Sequence, residues 1–128
     1  MKKIKVLFLD VEKEAKAFQM LEIEDDYKQY LKILRIDTLD IVRRNIAGKP
    51  YQIVIDDNGR LKTAPICSVE DHNGYPELYG NIIITGLCDN EGNLTSLTQK
   101  DVENICNKLY PRFSFIRGKE YHRLRLSK

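Results

Sequence analysis

Apolar and polar positions change period several times along the chain, and each change marks an element. Ile4, Val6 and Phe8 alternate with Lys5, Leu7 and Leu9, a mostly apolar run that predicts a strand covered on both faces. Ala15, Ala17, Gln19, Leu21 and Ile23 alternate again, so residues 3–23 read as a hairpin; a helix competes for this segment, because EKEAKAFQMLE is rich in helix formers. Asp25 and Asp26 then supply a helix start, with Tyr27, Tyr30, Leu31 and Leu34 on one face and an end near Arg35. From Thr38 the period returns to two. Leu39, Ile41 and Arg43 point one way, and Asp40, Val42 and Arg44 the other. After a Gly48-Lys49-Pro50 turn, Tyr51, Ile53 and Ile55 alternate with Gln52, Val54 and Asp56 to complete a second hairpin.

Asn58-Gly59 predicts a two-residue type I′ turn, with Arg60-Leu61-Lys62 entering a further strand. Residues 63–78 carry Pro65, His72, Gly74 and Pro76 and read as an irregular loop holding one brief strand, Ile66 to Val69. Residues 80–86, GNIIITG, are too short for a helix and rich in β-branched side chains, which predicts a central strand. A second helix opens at Thr98, where Thr98 and Asp101 form a capping box with Asp in place of Glu. Val102, Ile105, Cys106 and Leu109 line its inner face, and Pro111 follows its end. The expectation is an α+β domain: a mostly antiparallel, twisted sheet of about five or six strands with two helices packed on it. Residues 1–116 form the domain and residues 117–128 a basic C-terminal strand or tail.

The 128 residues fit one domain and are 42% hydrophobic and 31% charged, which sets the chain among globular proteins. No run approaches the ~20 apolar residues of a membrane span. The opening MKKIKVLFLD lacks the long apolar stretch and cleavage site of an export signal. Cys67, Cys88 and Cys106 are widely spaced and read as reduced, packed thiols of a cytoplasmic protein. The net charge of +2 is small, but residues 110–128 hold six cations against one acid, Glu120.

IDTLDIVRRNIAGKPYQIVIDDNG (36–59), YGNIIITG (79–86) and SLTQKDVENI (96–105), in this order and spacing, resemble a family of small uncharacterised phage and plasmid proteins of Firmicutes, described only as a domain of unknown function. The resemblance spans about residues 3–109. It implies a mobile-element origin and a cytoplasmic location, and it carries no activity and no functional residues.

Asp56-Asp57-Asn58-Gly59 could be read as a metal loop, but Arg60, Leu61 and Lys62 follow where further ligands belong, so turn chemistry is the stronger reading. Asp89-Asn90-Glu91-Gly92-Asn93 reads as a solvated loop. His72 and His122 lack any accompanying nucleophile motif. In the tail, aromatic and basic residues interleave, the ingredients of single-strand binding: cations for phosphates and rings for bases. An edge strand with basic residues facing solvent competes with that reading. The candidate contact residues are Arg43, Arg44, Arg112, Arg117, Lys119, Tyr121, Arg123 and Arg125. No catalytic residue, metal ligand or cofactor is expected. The leading expectation is a non-catalytic interaction protein of a mobile element with an accessory or anti-defence role, its partner a host or phage protein. A nucleic-acid-binding protein is second, and a metal-dependent enzyme using Asp56, Asp57 and Asp89 third. Monomer and homodimer both stay open.

Overall fold

The computed structural model describes residues 2–11, 18–59, 65–115 and 118–128. Among them are two helices and nine strands in two sheets, an α+β fold. The first sheet has the order β2-β1-β7-β4-β3, all antiparallel: β1 Lys3–Leu9, β2 Phe18–Glu24, β3 Leu39–Ile46, β4 Lys49–Asp56 and β7 Ile82–Thr85. The second has the order β6-β5-β9-β8: β5 Cys67–Glu70, β6 Pro76–Tyr79, β8 Leu109–Ser114 and β9 Lys119–Arg125. Only β5 and β9 run parallel among the described pairs.

Period-two patterning explains why the first sheet lies at the centre. Ile4, Val6, Phe8, Val54 and Ile83 face α1 (Tyr27–Leu34), meeting Tyr30 and Leu34. Leu7, Leu9, Ile53, Ile82 and Ile84 face the other way, onto Val69, Leu78 and Leu124 of the second sheet and Ile105 of α2 (Gln99–Cys106). Burying each such aliphatic side chain contributes about 1.5–3 kcal/mol, so the doubly covered sheet is the main source of cohesion. Gly80 to Gly86 brackets a central strand, as expected.

Helix ends follow local chemistry. Asp26 caps α1 by accepting from Lys28 N, and Arg35 closes it in the left-handed region at φ 57°. Thr98 and Asp101 form the full capping box on α2. Tyr27 is half exposed, so only Tyr30 and Leu34 of the expected face are buried. In α2, Ile105 is buried and Cys106 is exposed. Leu109 already belongs to β8, because Asn107 ends the helix. Pro111 sits inside β8, where an edge strand tolerates its missing N–H.

Several expectations need correction. Among the described residues the strands number nine in two sheets instead of five or six in one, because residues 67–79 hold a hairpin, β5–β6, around a tight turn at residues 71–75, and it joins β8 and β9 in a second sheet. The β3–β4 turn is Ala47-Gly48, both at positive φ (53° and 82°), with Lys49 and Pro50 already in β4. Asn58-Gly59 is not a type I′ turn, since neither residue has positive φ. Asp56 Oδ1 accepts from Asn58 N, and Gly59 is small for a different reason: a Cβ there would lie 2.8 Å from the Tyr79 carbonyl oxygen. The strand expected at Arg60-Leu61-Lys62 and the start of the one at Ala15 lie outside the described residues. Residues 119–125 form neither a tail nor an edge strand: β9 is interior, between β5 and β8.

Candidate anion-binding face on the second sheet

One face of the second sheet turns Val69, Leu78 and Leu124 to the core. In the β8–β9 ladder Leu109 pairs with Leu124, Tyr110 with Arg123, and Arg112 with Tyr121. Glu70 pairs with Arg125 in the parallel β5–β9 ladder. Alternation therefore places Tyr110, Arg112, Arg123, Arg125 and Glu70 together on the outer face, while Tyr121, in the same register, is buried and packs into the main core cluster.

Glu70 is fully buried on this face, although acids are seldom buried unless paired. Arg125 donates to its Oε2 from Nε at 2.9 Å and from Nη2 at 2.5 Å, and Arg112 Nη2 donates at 3.0 Å. Glu70 Oε1 lies 2.8 Å from Arg112 Nη2 and 4.0 Å from Arg123 Nη1. These approaches are ion-pair contacts without hydrogen-bond alignment, so among the described residues Oε1 has no hydrogen-bond donor. The turn of the β5–β6 hairpin closes over the carboxylate. Gly74, at φ 88°, leaves room there, since a Cβ would stand 3.3 Å from Arg125 Nη2 and 3.5 Å from Glu70 Oε2. Asp71 Oδ1 ties that turn by accepting from Asn73 N and Tyr75 N.

Tyrosines organise the guanidinium groups. Tyr121 is buried and its hydroxyl accepts from Arg123 Nε and Nη2, at 3.2 and 2.8 Å. Arg125 stands over the Tyr110 ring at 4.9 Å and Arg112 at 5.9 Å. Burial works against the charge on Arg123, yet the Tyr121 hydroxyl, Cys67 and Glu70 hold its pKa above the ordinary value. Three guanidinium groups therefore meet one carboxylate, a local excess of two positive charges. Their side chains keep 20–35% of their surface exposed, so the excess reaches solvent.

The hairpin's far end carries an exposed aromatic pair. Phe113 and Phe115 meet edge to face with ring centroids 5.1 Å apart, and Phe115 is 90% exposed. Lys119 begins β9 beside them, opposite Ser114. Arg117 lies outside the described residues. Arg44 is engaged by Glu77 at 2.8 Å rather than by Glu70, and Arg43 is exposed on the edge strand β3. Arg112, Tyr121, Arg123 and Arg125 thus come together, and Arg43 and Arg44 do not join them.

Sequence reasoning overlooks Glu70 and Tyr110. The available signal is the period-two repeat of Tyr and Arg in YPR (110–112) and YHRLR (121–125), which sets Tyr110, Arg112, Tyr121, Arg123 and Arg125 on one face of a hairpin.

The loop acids serve the backbone instead. Asp89 Oδ1 accepts from Glu91 N and Asn93 N, and Asp25 accepts from the Tyr30 hydroxyl and Leu94 N. Among the described residues no three His, Cys, Asp or Glu side chains stand close enough to hold a metal ion. Asp101 is buried beside the start of β4, taking Lys49 Nζ and the Tyr51 hydroxyl on Oδ1, each at 2.7 Å. Cys67 is buried, with its thiol pKa pushed up by burial, whereas Cys88 and Cys106 are exposed, against the expectation of three packed thiols.

The profile of a domain of unknown function, DUF3846, matches residues 4–110. The chain belongs to the DUF3846 family. The match agrees with the span of residues 3–109 that carries the resemblance in the sequence. No curated protein and no solved structure matches the chain. In this DUF3846 protein the matched span stops within β8, so Arg112, Arg123 and Arg125 lie beyond it and Glu70 lies within it. Among the described residues no helix is long and apolar enough to cross a membrane.

Proposed function

We propose that the protein is a non-catalytic binding module whose partner is single-stranded nucleic acid, held along the β8–β9 hairpin. The observation that carries this reading is the outer face itself. Arg112, Arg123 and Arg125 are fixed by one buried carboxylate into a partly exposed array with an unbalanced charge. Phe113 and Phe115 are exposed at the turn end of the same hairpin, Phe113 on the side of the ladder opposite Arg112, so a bound strand would pass from the arginine face around that end. A strand needs both: cations along its phosphates and rings for its unpaired bases, which stack with about 1–3 kcal/mol each. Fixing the arginines in advance lowers the entropy lost on binding. Such a module suits the accessory or anti-defence role expected of a mobile-element protein, the origin that the resemblance implies together with a cytoplasmic location.

Titration of the intact protein with single-stranded and duplex DNA and RNA, at two salt concentrations, tests the reading. Affinity for single strands should fall as salt rises. Phe115→Ala, at an exposed position that the core does not use, should weaken single-strand binding by about 1–3 kcal/mol while leaving the melting temperature unchanged. Absence of salt-dependent binding to every nucleic acid would overturn it. Equal affinity for duplex and single strands, unmoved by Phe115→Ala, would reject the stacking role.

A further inference from the structure

A cleft of about 350 Å³ opens at the end of this face opposite the phenylalanines, lined by Ala47, Gly48, Lys108, Tyr110, Arg125, Leu126 and Ser127. We propose that it is a binding site for a phosphate group carried by a nucleotide or a strand end, with Lys108 and Arg125 as the charged contacts and Tyr110 as the wall for the attached base.

The argument begins with register. Arg125 N donates to the Lys108 carbonyl at 2.9 Å, which continues the β8–β9 ladder by one residue and sets Lys108 directly opposite Arg125. Their side chains therefore leave the sheet on one face as close cross-strand neighbours. Two like charges so placed repel, and a protein keeps such a pair at a cost in stability unless an anion lies between them. Arg125 has Glu70 as a counter-charge, but Glu70 already serves Arg112 and Arg123. The Lys108 ammonium has no hydrogen-bond or ion-pair partner among the described residues. None of the lining residues is acidic. By contrast, another cleft among the described residues, of about 270 Å³, includes Asp25 and Asp89 in its lining and suits no anion.

The remaining walls match the chemistry of a phosphate ester. Ser127 Oγ accepts from Gly48 N at 3.0 Å, which fixes the hydroxyl and leaves its own O–H to donate, with no acceptor among the described residues. Ala47 and Gly48 hold consecutive left-handed conformations, so the β3–β4 turn is tight and adds no bulk to the rim. Ser127 N is held by the Asn45 carbonyl and Leu126 N by the Glu70 carbonyl, each at 2.9 Å, so the C-terminal wall is anchored to both sheets. Two cations, one hydroxyl donor and one aromatic ring in a cleft of this volume suit a mononucleotide in size and in charge.

This site goes beyond strand binding by the hairpin, and the two are separable by experiment. Inorganic phosphate and adenosine 5′-monophosphate are titrated separately into the intact, nitrogen-15-labelled protein at constant ionic strength, with chloride as control. The expected result is saturable amide shifts at Gly48, Lys108, Tyr110 and Ser127 with both ligands and none with chloride. Lys108→Ala should weaken binding at least tenfold, whereas Lys100→Ala on the exposed face of α2 should leave it unchanged. Because the Lys108 side chain is unpartnered, the variant should keep the wild-type spectrum elsewhere. Tighter binding of the monophosphate than of phosphate assigns the Tyr110 wall to the base. Equal binding upholds the phosphate site and removes the base from it. Saturable phosphate binding without any strand binding upholds this site and rejects the hairpin reading. Shifts that do not saturate, or that survive Lys108→Ala, overturn the proposal.

Discussion

Arg125 reaches Glu70 with two nitrogens of one guanidinium, Nε at 2.9 Å and Nη2 at 2.5 Å, both on the same carboxylate oxygen. The contact joins residues 55 positions apart and, with Arg112, fastens the β8–β9 hairpin to the body of the protein. A buried ion pair is weak evidence for net stability, because desolvation offsets attraction, yet breaking one side is costly. Glu70→Gln keeps the shape and removes the charge, leaving three guanidinium groups without a counter-ion. The expected loss is about 3 kcal/mol, the lower end for broken buried pairs, because the arginines keep some solvent. Urea unfolding at neutral pH measures it, and a loss below about 1 kcal/mol would show that the carboxylate is not the hub.

Asp101 predicts an acid-sensitive contribution to stability. Burial works against its charge, but Lys49, the Thr98 N–H and the Tyr51 hydroxyl outweigh burial and hold its pKa well below the usual carboxylate range. The unfolded chain therefore binds the proton more readily than the folded one. The contribution is complete above about pH 4 and drains away as pH falls from there toward the folded-state value. Asp101→Asn should lower stability at pH 7 and flatten the decline between about pH 4 and pH 2, read as urea midpoints across that range. A parallel decline in variant and parent would reject the assignment.

Two glycines separate crowding from backbone strain. Gly59→Ala places a methyl 2.8 Å from the Tyr79 carbonyl oxygen, a backbone atom that cannot swing aside, and should cost about 1–3 kcal/mol. Gly48→Ala meets nothing within 4 Å and carries only the strain of φ 82°, about 1–2 kcal/mol. The expected signature is a lower melting temperature for both, with a change in the Tyr79 environment only for Gly59→Ala.

The first sheet is legible in the sequence because each of its strands keeps period two or an unbroken apolar run, as in KIKVLFL and IIIT. Capping chemistry likewise marks both helix starts, at Asp26 and Thr98. The second sheet is legible only in part: a brief strand near Ile66 to Val69 and a C-terminal strand are expected and found as β5 and β9, but β6, β8 and the pairing are not, for physical reasons. β5 and β6 are four residues long, Pro76 opens β6 next to a turn, and Pro111 falls inside β8, where proline usually argues against a strand. Glu70 reads as a surface acid beside Asp71, since its burial depends on arginines 42 and 55 residues further along. Charge that looks solvated in a linear tail is, in the fold, the lining of a sheet. The candidate residues Arg112, Tyr121, Arg123 and Arg125 are visible as types, but their convergence needs the parallel pairing of β5 with β9.

That pairing predicts what happens when the chain is cut after Tyr110, close to the end of the matched family span at residue 110. Read as a linear tail, the removed residues should be dispensable. In the fold they supply β9, and with it Tyr121, Leu124 and Leu126, all buried against the main core. Their loss would also strand Glu70 without Arg112, Arg123 or Arg125, leaving an unpaired carboxylate that the interior does not tolerate. Each lost aliphatic or aromatic group forfeits about 1.5–3 kcal/mol of burial, and together with the orphaned charge the sum approaches the whole stability of a domain this size. The truncated chain should lose its cooperative melt and its near-ultraviolet circular dichroism, whereas Phe113→Ala and Phe115→Ala keep both. A cooperative transition within a few degrees of the parent would mean that the first sheet and its helices fold without the β8–β9 hairpin.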